Sequence, residues 1–196
     1  MKTLERPEQS GRFLLKGCLS MSPLPTPSIP TLLTSRLILR APRMEDWPAY
    51  AAFMATDRSI YMGGPHEEAI AWGMFCHDVA QWHLLGHGAL MIEVREGEAA
   101  GGQCVGQVGL NGGPLFPEHE LGWMLYPGFE GRGYASEAAT ALRNWAFETL
   151  RLETLVSYIH PENAASCRLA ERLGAVLDAD AARHDPADLV YRHSKR

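Results

Sequence analysis

The chain reads as a mixed α/β protein, a sheet preceded by two helices and finished by a strand-helix-strand-helix second half. Three observations predict this. Residues 89–94, 104–110 and 119–125 are short apolar runs separated by Gly-rich turns around 97–102 and 111–114, the pattern of an antiparallel meander. Ala135, Ala138, Ala139, Leu142, Trp145, Ala146 and Leu150 recur at helical spacing, so a helix over about 135–150 follows the third strand. Residues 154–159 are β-branched and apolar, a further strand after that helix.

The remaining elements follow in chain order. Residues 22–30 run Ser-Pro-Leu-Pro-Thr-Pro-Ser-Ile-Pro, a composition that favours extended chain, so 1–31 is expected to be a flexible arm and 32–196 a single domain. Met21 is a second candidate start. Leu37 and Leu39 alternate with Arg36, Ile38 and Arg40, which predicts a first strand. Asp46 ahead of Trp47-Pro48 reads as an N-cap with Pro in the first turn, and a short helix should run to about Met54. Residues 61–65 are a turn cluster. A second helix over about 67–85 would carry Ile70, Met74, His77 and Leu84 on one apolar stripe. Beyond 154–159, Asn163 is placed to cap a helix ending at Gly174, and 175–177 with 189–193 would make a closing hairpin.

Composition excludes several function classes. With 46% hydrophobic and 21% charged residues over 196 positions, the chain can bury one full core. A net charge of −5 and a pI near 5.9 give no footprint for nucleic acid, and the basic tail 192–196 is short. No apolar segment is long enough to span a bilayer, and residues 13–15 are too few for a signal-peptide core, so a cytoplasmic protein is expected, with no membrane partner. Cys18, Cys76, Cys104 and Cys167 are scattered and read as reduced thiols. His83 and His87 lie one helical turn apart, but the glycines on either side of His87 end the helix, no third ligand is evident, and no metal site is expected.

Gly131-Arg132-Gly133-Tyr134-Ala135-Ser136 carries the chemistry. It stands where a strand and loop give way to the long helix, so backbone N–H groups of the first turn and the positive end of the helix dipole point at the loop, and small residues let an anion approach them. A Walker loop would need Lys and then Ser or Thr where Tyr134-Ala135 stands, and a dinucleotide fingerprint wants Gly or Ala at Ser136. The loop alone leaves open a phosphate cradle and a plain helix cap.

Four segments in order resemble the GNAT superfamily of acyl-CoA-dependent N-acyltransferases, and within it the ribosomal-protein N-terminal acetyltransferase (RimJ/RimL-like) branch. Residues 34–40, Thr-Ser-Arg-Leu-Ile-Leu-Arg, resemble its opening strand. Glu120-Leu121-Gly122-Trp123 resembles its central strand, and residues 131–138 its CoA pyrophosphate loop. His160-Pro161-Glu162-Asn163-Ala164-Ala165-Ser166, followed by Glu171-Arg172-Leu173-Gly174-Ala175, completes the set, so the likeness covers about 32–193.

The resemblance implies a mostly antiparallel sheet with one splayed parallel pair and helices on both faces. It implies acetyl-CoA as co-substrate, a primary amine as acceptor (a protein or peptide N-terminus or a small molecule), direct attack in a ternary complex, no metal and a possible homodimer. Glu120 would take the amine proton and Ser166 would return one to the thiolate. Main-chain groups of Trp123, Met124 and Leu125 would hold pantetheine; Gly131, Arg132, Gly133, Tyr134, Ala135 and Ser136 the pyrophosphate; Asn163, Arg168 and Arg172 other parts of CoA. Tyr61, Met62 and His66 would line the acceptor site. Glu130 departs from the family, which has Gln, Arg or an aromatic there, and a carboxylate at that point repels phosphate unless Arg132 offsets it. A non-catalytic acyl-CoA-binding module is the alternative. With a single carboxylate and no Tyr or His beside it, the site would suit an α-amine, neutral in about one molecule in ten at pH 7, over a Lys amine at roughly one in 2,500.

Overall fold

The computed structural model describes residues 28–195, and the predicted arm over 1–31 therefore lies almost wholly outside the described residues. Eight strands form one sheet: β1 (Leu32–Leu33), β2 (Leu37–Arg40), β3 (Ala89–Val94), β4 (Cys104–Asn111), β5 (Glu120–Leu125), β6 (Thr154–Ile159), β7 (Val176–Leu177) and β8 (Leu189–Ser194), in the order β1-β2-β3-β4-β5-β6-β8-β7. The meander β3-β4-β5 is antiparallel, as the turn spacing predicts, and β2 adds to it antiparallel to β3. The crossover through α3 (Tyr134–Glu148) makes β5 and β6 parallel, and that pair holds a single register rung, Glu120 opposite Val156. All other pairings are antiparallel.

Side chains alternate across a strand, so each face of the sheet needs its own cover. On one face Leu90, Ile92, Val108, Leu110 and Leu121 pack with Ala138, Ala139, Leu142 and Ala146 of α3. On the other, Met91 and Met124 pack with Tyr50, Phe53 and Met54 of α1 (Trp47–Met54) and Ala71 and Phe75 of α2 (Glu68–Leu85). The fourth helix, α4 (Ala164–Arg172), is capped as predicted: Asn163 Oδ1 accepts the Ser166 N–H at 3.2 Å, and Gly174 takes φ +81° just past the C-cap.

Three local readings are corrected. Asp46 does not cap α1. Its carboxylate turns back to make a bidentate pair with the Arg40 guanidinium, 2.8 Å at each oxygen, and accepts the Arg43 N–H at 2.8 Å, because burial of Arg40 requires a counter-charge more than the helix end requires a cap. The face of α2 turned to the sheet is Ala71, Phe75, Gln81 and Trp82; Ile70 and Leu84 are exposed. Tertiary packing selected the stripe that holds the large aromatics and tolerated polar residues within it. Residues 57–62, of which the sequence places only 61 and 62, in the turn cluster, form a 3₁₀ helix that ends at Gly63 with φ +81°.

Candidate active site

The parallel pair β5/β6 opens immediately after its one rung. Val156 N–H donates to the His119 carbonyl at 2.9 Å, and two residues on the ladder is gone. The Leu121 carbonyl, next in line to lose its partner, is taken by the Ser157 hydroxyl at 2.6 Å. Since that hydroxyl spends its proton there, it accepts from His193 Nε2 at 3.0 Å, which fixes the proton of the buried His193 on Nε2. Burial lowers the His193 pKa to about 4, so the ring is neutral. Beyond this point the strands diverge, and by the two-residue alternation of β5 the N–H and C=O groups of Trp123 and Leu125 face the gap.

Two cavities meet in that gap. One, of about 370 Å³, is walled by Tyr50, Asp78, Asn111, Glu120, Tyr158 and their neighbours. The other, of about 710 Å³, runs over Leu125, Gly131, Gly133, Ala135 and Ser136 to Leu169 and Arg172. Tyr61, Met62, Trp123, Met124, Asn163 and Ser166 line both, so these six residues form the junction.

The larger groove ends on the first turn of α3. Gly131 and Gly133 adopt φ +75° and +81°, the left-handed region that glycine enters without penalty, and a side chain at Gly131 would stand in open space facing the groove. The N–H groups of Tyr134, Ala135 and Ser136 have no intrahelical acceptor by the geometry of a helix start. Glu137 braces this turn from behind. Its carboxylate accepts from Thr34 Oγ1 (2.5 Å), Ser35 Oγ (2.9 Å), Arg36 N (2.9 Å) and Arg36 Nε (2.8 Å), and Arg36 Nη1 in turn donates to the Arg132 carbonyl at 2.9 Å. Burial alone would raise the Glu137 pKa, but those donors outweigh it and hold the carboxyl below the usual range. Sequence reasoning assigned residues 34–40 to a strand and missed this clamp.

Glu130 is neutralised, though by a different cation from the one its neighbourhood suggests. Its carboxylate pairs with Arg58, and its other oxygen accepts the Gly128 N–H at 2.8 Å. Arg132 lies over the Phe129 ring at 5.7 Å instead. Neither Arg132 nor Tyr134 side chain lines the groove; Tyr134 is buried beneath Arg36, 5.0 Å from its guanidinium. Arg168 is exposed and lines neither cavity, whereas Arg172 reaches the groove. His66 turns its Nε2 to the Met62 carbonyl at 2.9 Å, away from the smaller cavity that Tyr61 and Met62 line.

Glu120 points into the smaller cavity and is held there by a three-residue relay. Gln81, buried on α2, accepts the Gly112 N–H through Oε1 (3.1 Å) and donates through Nε2 to Asn111 Oδ1 (3.1 Å), which leaves Asn111 Nδ2 to donate to Glu120 Oε2 at 2.9 Å. Burial raises the Glu120 pKa against the opposing Asn111 hydrogen bond. A second carboxylate shares the cavity: Asp78 of α2 accepts from Gln107 Nε2 at 3.0 Å, and burial pushes its pKa up to about 7. Tyr50, Tyr158 and His160 line the same space. The expectation of one carboxylate with no Tyr or His beside it is thus corrected, and with it goes the argument that favoured an α-amine. The signal for Asp78 was present as a polar residue midway between Phe75 and Trp82.

At the junction, Trp123 Nε1 donates to Ser166 Oγ at 3.3 Å, so the serine's own hydrogen is free to donate to another group. Among the described residues no group of three or more His, Cys, Asp or Glu is arranged to hold a metal ion, and no helix is long and apolar enough to cross a membrane. Cys76, Cys104 and Cys167 are free thiols, and burial pushes that of Cys104 up to about 12.

Comparison with known proteins bears on these geometries. A family model for the acetyltransferase (GNAT) domain matches residues 36–176, which takes in Arg36 and Glu137 of the clamp, both cavities and α4. The crystal structure of an acetyltransferase from Agrobacterium tumefaciens str. C58 is 60% identical, with a TM-score of 0.82 over 86% of this chain and 96% of that one. The uncharacterized N-acetyltransferase YnaD of Bacillus subtilis (strain 168) is 38% identical over 61 residues; the match spans 30% of this chain and only 36% of YnaD. RimL, a ribosomal L7/L12 alpha-N-protein acetyltransferase solved in complex with coenzyme A, is 18% identical with a TM-score of 0.64 over 84% of this chain and 98% of that one, a likeness of fold. On the match across most of its length, this chain belongs to the GNAT acetyltransferase family.

Proposed function

We propose that the protein transfers the acetyl group of acetyl-CoA to a primary amine by direct attack, with both substrates bound at once. The observation that carries this is the meeting of two cavities at a splayed strand pair, with a half-buried carboxylate on one side, a helix N-terminus on the other and a serine hydroxyl at the junction. Each cavity fits one substrate. The Gly131–Gly133 turn leaves room for a phosphate against the first amides of α3, and Arg58 removes the repulsion that Glu130 would otherwise exert. The apolar stretch past Leu125, Leu169 and Met124 suits a pantetheine arm, and the exposed N–H groups of β5 extend it as a strand would.

Acetyl-CoA supplies the thioester that is attacked. Glu120, with its raised pKa, is a stronger base than an exposed carboxylate and accepts the proton the amine loses. The amine nitrogen bonds to the acetyl carbon, the Trp123 N–H facing the gap donates to the oxyanion, and collapse breaks the carbon–sulfur bond. The Ser166 hydroxyl, held by Trp123 through its lone pair, donates to the departing thiolate. Purified protein mixed with acetyl-CoA, a thiol reagent and a panel of primary amines tests the reading, and amine-dependent thiol release is the expected result. Stabilisation by CoA with no thiol release from any amine would favour a binding module.

A further inference from the structure

We propose that the acceptor is a small aliphatic diamine or polyamine, with Glu120 facing the amine that reacts and Asp78 holding a second ammonium group. This rests on the acetyltransferase reading and narrows its substrate.

The smaller cavity contains two carboxylates and, among the described residues, no Lys or Arg side chain in its wall. The two are not a coupled pair sharing one proton. Glu120 is bonded to Asn111 and Asp78 to Gln107, and those amides stand four residues apart on one face of β4, roughly 13 Å along the strand. They are separate stations for separate charges. A monoamine would bring one positive charge, used up at Glu120, and would leave the half-buried Asp78 carboxylate with only the neutral Gln107 amide and no counter-charge, an arrangement that a partly desolvated carboxylate resists. A dication matches both.

Two further observations at the Asp78 end point to a ligand. Asp78 Oδ1 accepts no hydrogen bond among the described residues, only Oδ2 being taken by Gln107. Tyr50, 2% exposed, lines this cavity, and its hydroxyl has no hydrogen-bond partner among the described residues. An ammonium placed there would donate to the free carboxylate oxygen and to the phenol oxygen. The cavity wall also carries the apolar side chains of Met54, Met74 and Phe116, which suits a methylene chain.

The test compares 1,4-diaminobutane with n-butylamine as acceptors, in wild type and in Asp78→Asn. Wild type is expected to show at least a tenfold higher kcat/KM for the diamine, and Asp78→Asn to bring the ratio below about three. Equal kcat/KM for the two amines in wild type, or a ratio that survives Asp78→Asn, overturns the proposal. Calorimetric titration of the same amines into CoA-saturated protein makes the comparison without turnover, so absence of thiol release with every amine sinks the acetyltransferase reading while the binding ratio still decides the role of Asp78. Should Asp78→Asn fail to fold, titrating 4-amino-1-butanol into wild type replaces the variant: binding at least tenfold weaker than the diamine supports the second station, and equal binding refutes it.

Discussion

Replacing Glu137 by Gln tests the clamp behind the α3 turn, because it keeps the side chain's shape and removes only its charge. The carboxylate accepts four hydrogen bonds within 2.9 Å, two of them from the Arg36 side chain and main chain, and it forms an ion pair with Arg36 Nη2 at 2.7 Å. Hydrogen bonds to a charged group contribute about 1.5–3 kcal/mol each when isolated and dry. Here the Arg36 side chain is 34% exposed and Glu137 17%, the amide oxygen of Gln retains part of the acceptor capacity, and the bonds share partners, so we expect a net loss of about 2 kcal/mol. For a domain of this size that lowers the melting temperature by roughly 4–8 °C. The pH dependence has a definite sign. Glu137 has a folded pKa below its unfolded value near 4.3, so its contribution is complete above that pH and fades as pH falls through the depressed folded value. Urea melts of wild type and Glu137→Gln at a series of pH values between 7 and 3 should therefore converge at the acid end. Because Arg36 Nη1 also holds the Arg132 carbonyl, the variant should bind CoA about tenfold more weakly. Equal midpoints at pH 7, or a gap that stays constant down to pH 3, would refute the clamp.

Other perturbations have equally definite outcomes. Glu120→Gln should cost about 10²–10⁴ in kcat/KM in the thiol-release assay and abolish the rise of kcat/KM with pH through the raised Glu120 pKa, leaving CoA binding intact by calorimetry. Gly106→Ala would place a Cβ 2.2 Å from the Met124 carbonyl oxygen and 2.9 Å from Leu125 Cα, pushing β5 away from β4 at the junction; a loss of about 3 kcal/mol in denaturant melts and weakened CoA binding are expected. Asp46→Asn leaves the buried Arg40 with Glu93 alone, and chemical denaturation at pH 7 should register a loss of about 3–5 kcal/mol. His193, neutral when folded and titrating near 4, should make wild-type stability fall by roughly 3 kcal/mol as pH drops from 6.5 to 4, where an unfolded His gains a proton that the folded one refuses; His193→Gln should flatten that stretch of the curve.

Elements whose signals are local were legible in the sequence. β3 and β6 fall on residues 89–94 and 154–159 as the apolar runs predict, and the Asn163 cap and Gly174 stop are chemistry confined to a few neighbouring residues. The glycine-rich entry to α3 was legible for the same reason. What stayed hidden was long-range and polar. On α2 a search for apolar spacing picks Ile70 and Leu84, which face water, and passes over Asp78 and Gln81, which are the residues the cavity and the relay use. Glu137 reads as an ordinary acid in a helix's first turn, since its partners lie about a hundred positions away, and Arg58 gives no sign that it will meet Glu130. Periodicity locates a face, but it does not say which buried polar residues will find partners across the sheet.

The splay between β5 and β6 is where fold and chemistry become one problem. A parallel pair that continued past Glu120 would satisfy the Trp123 and Leu125 backbone groups and close the gap. The chain prevents this by making the crossover land with one rung in register and by spending the Ser157 hydroxyl, backed by His193, on the Leu121 carbonyl, so that the break comes at a fixed residue. Past that point the sheet forgoes ladder hydrogen bonds, each contributing about 0.5–1.5 kcal/mol net, and leaves donors and acceptors facing water in an open groove. Any ligand that presents an extended amide-bearing chain to this edge recovers those bonds without displacing protein structure, as an added strand does. The same argument explains why the carboxylate relay sits on β4 and α2 and not on β6: the closed side of β5 keeps its full ladder with β4, from which Asn111 and Gln81 aim Glu120, while the open side is left free for the substrates to enter.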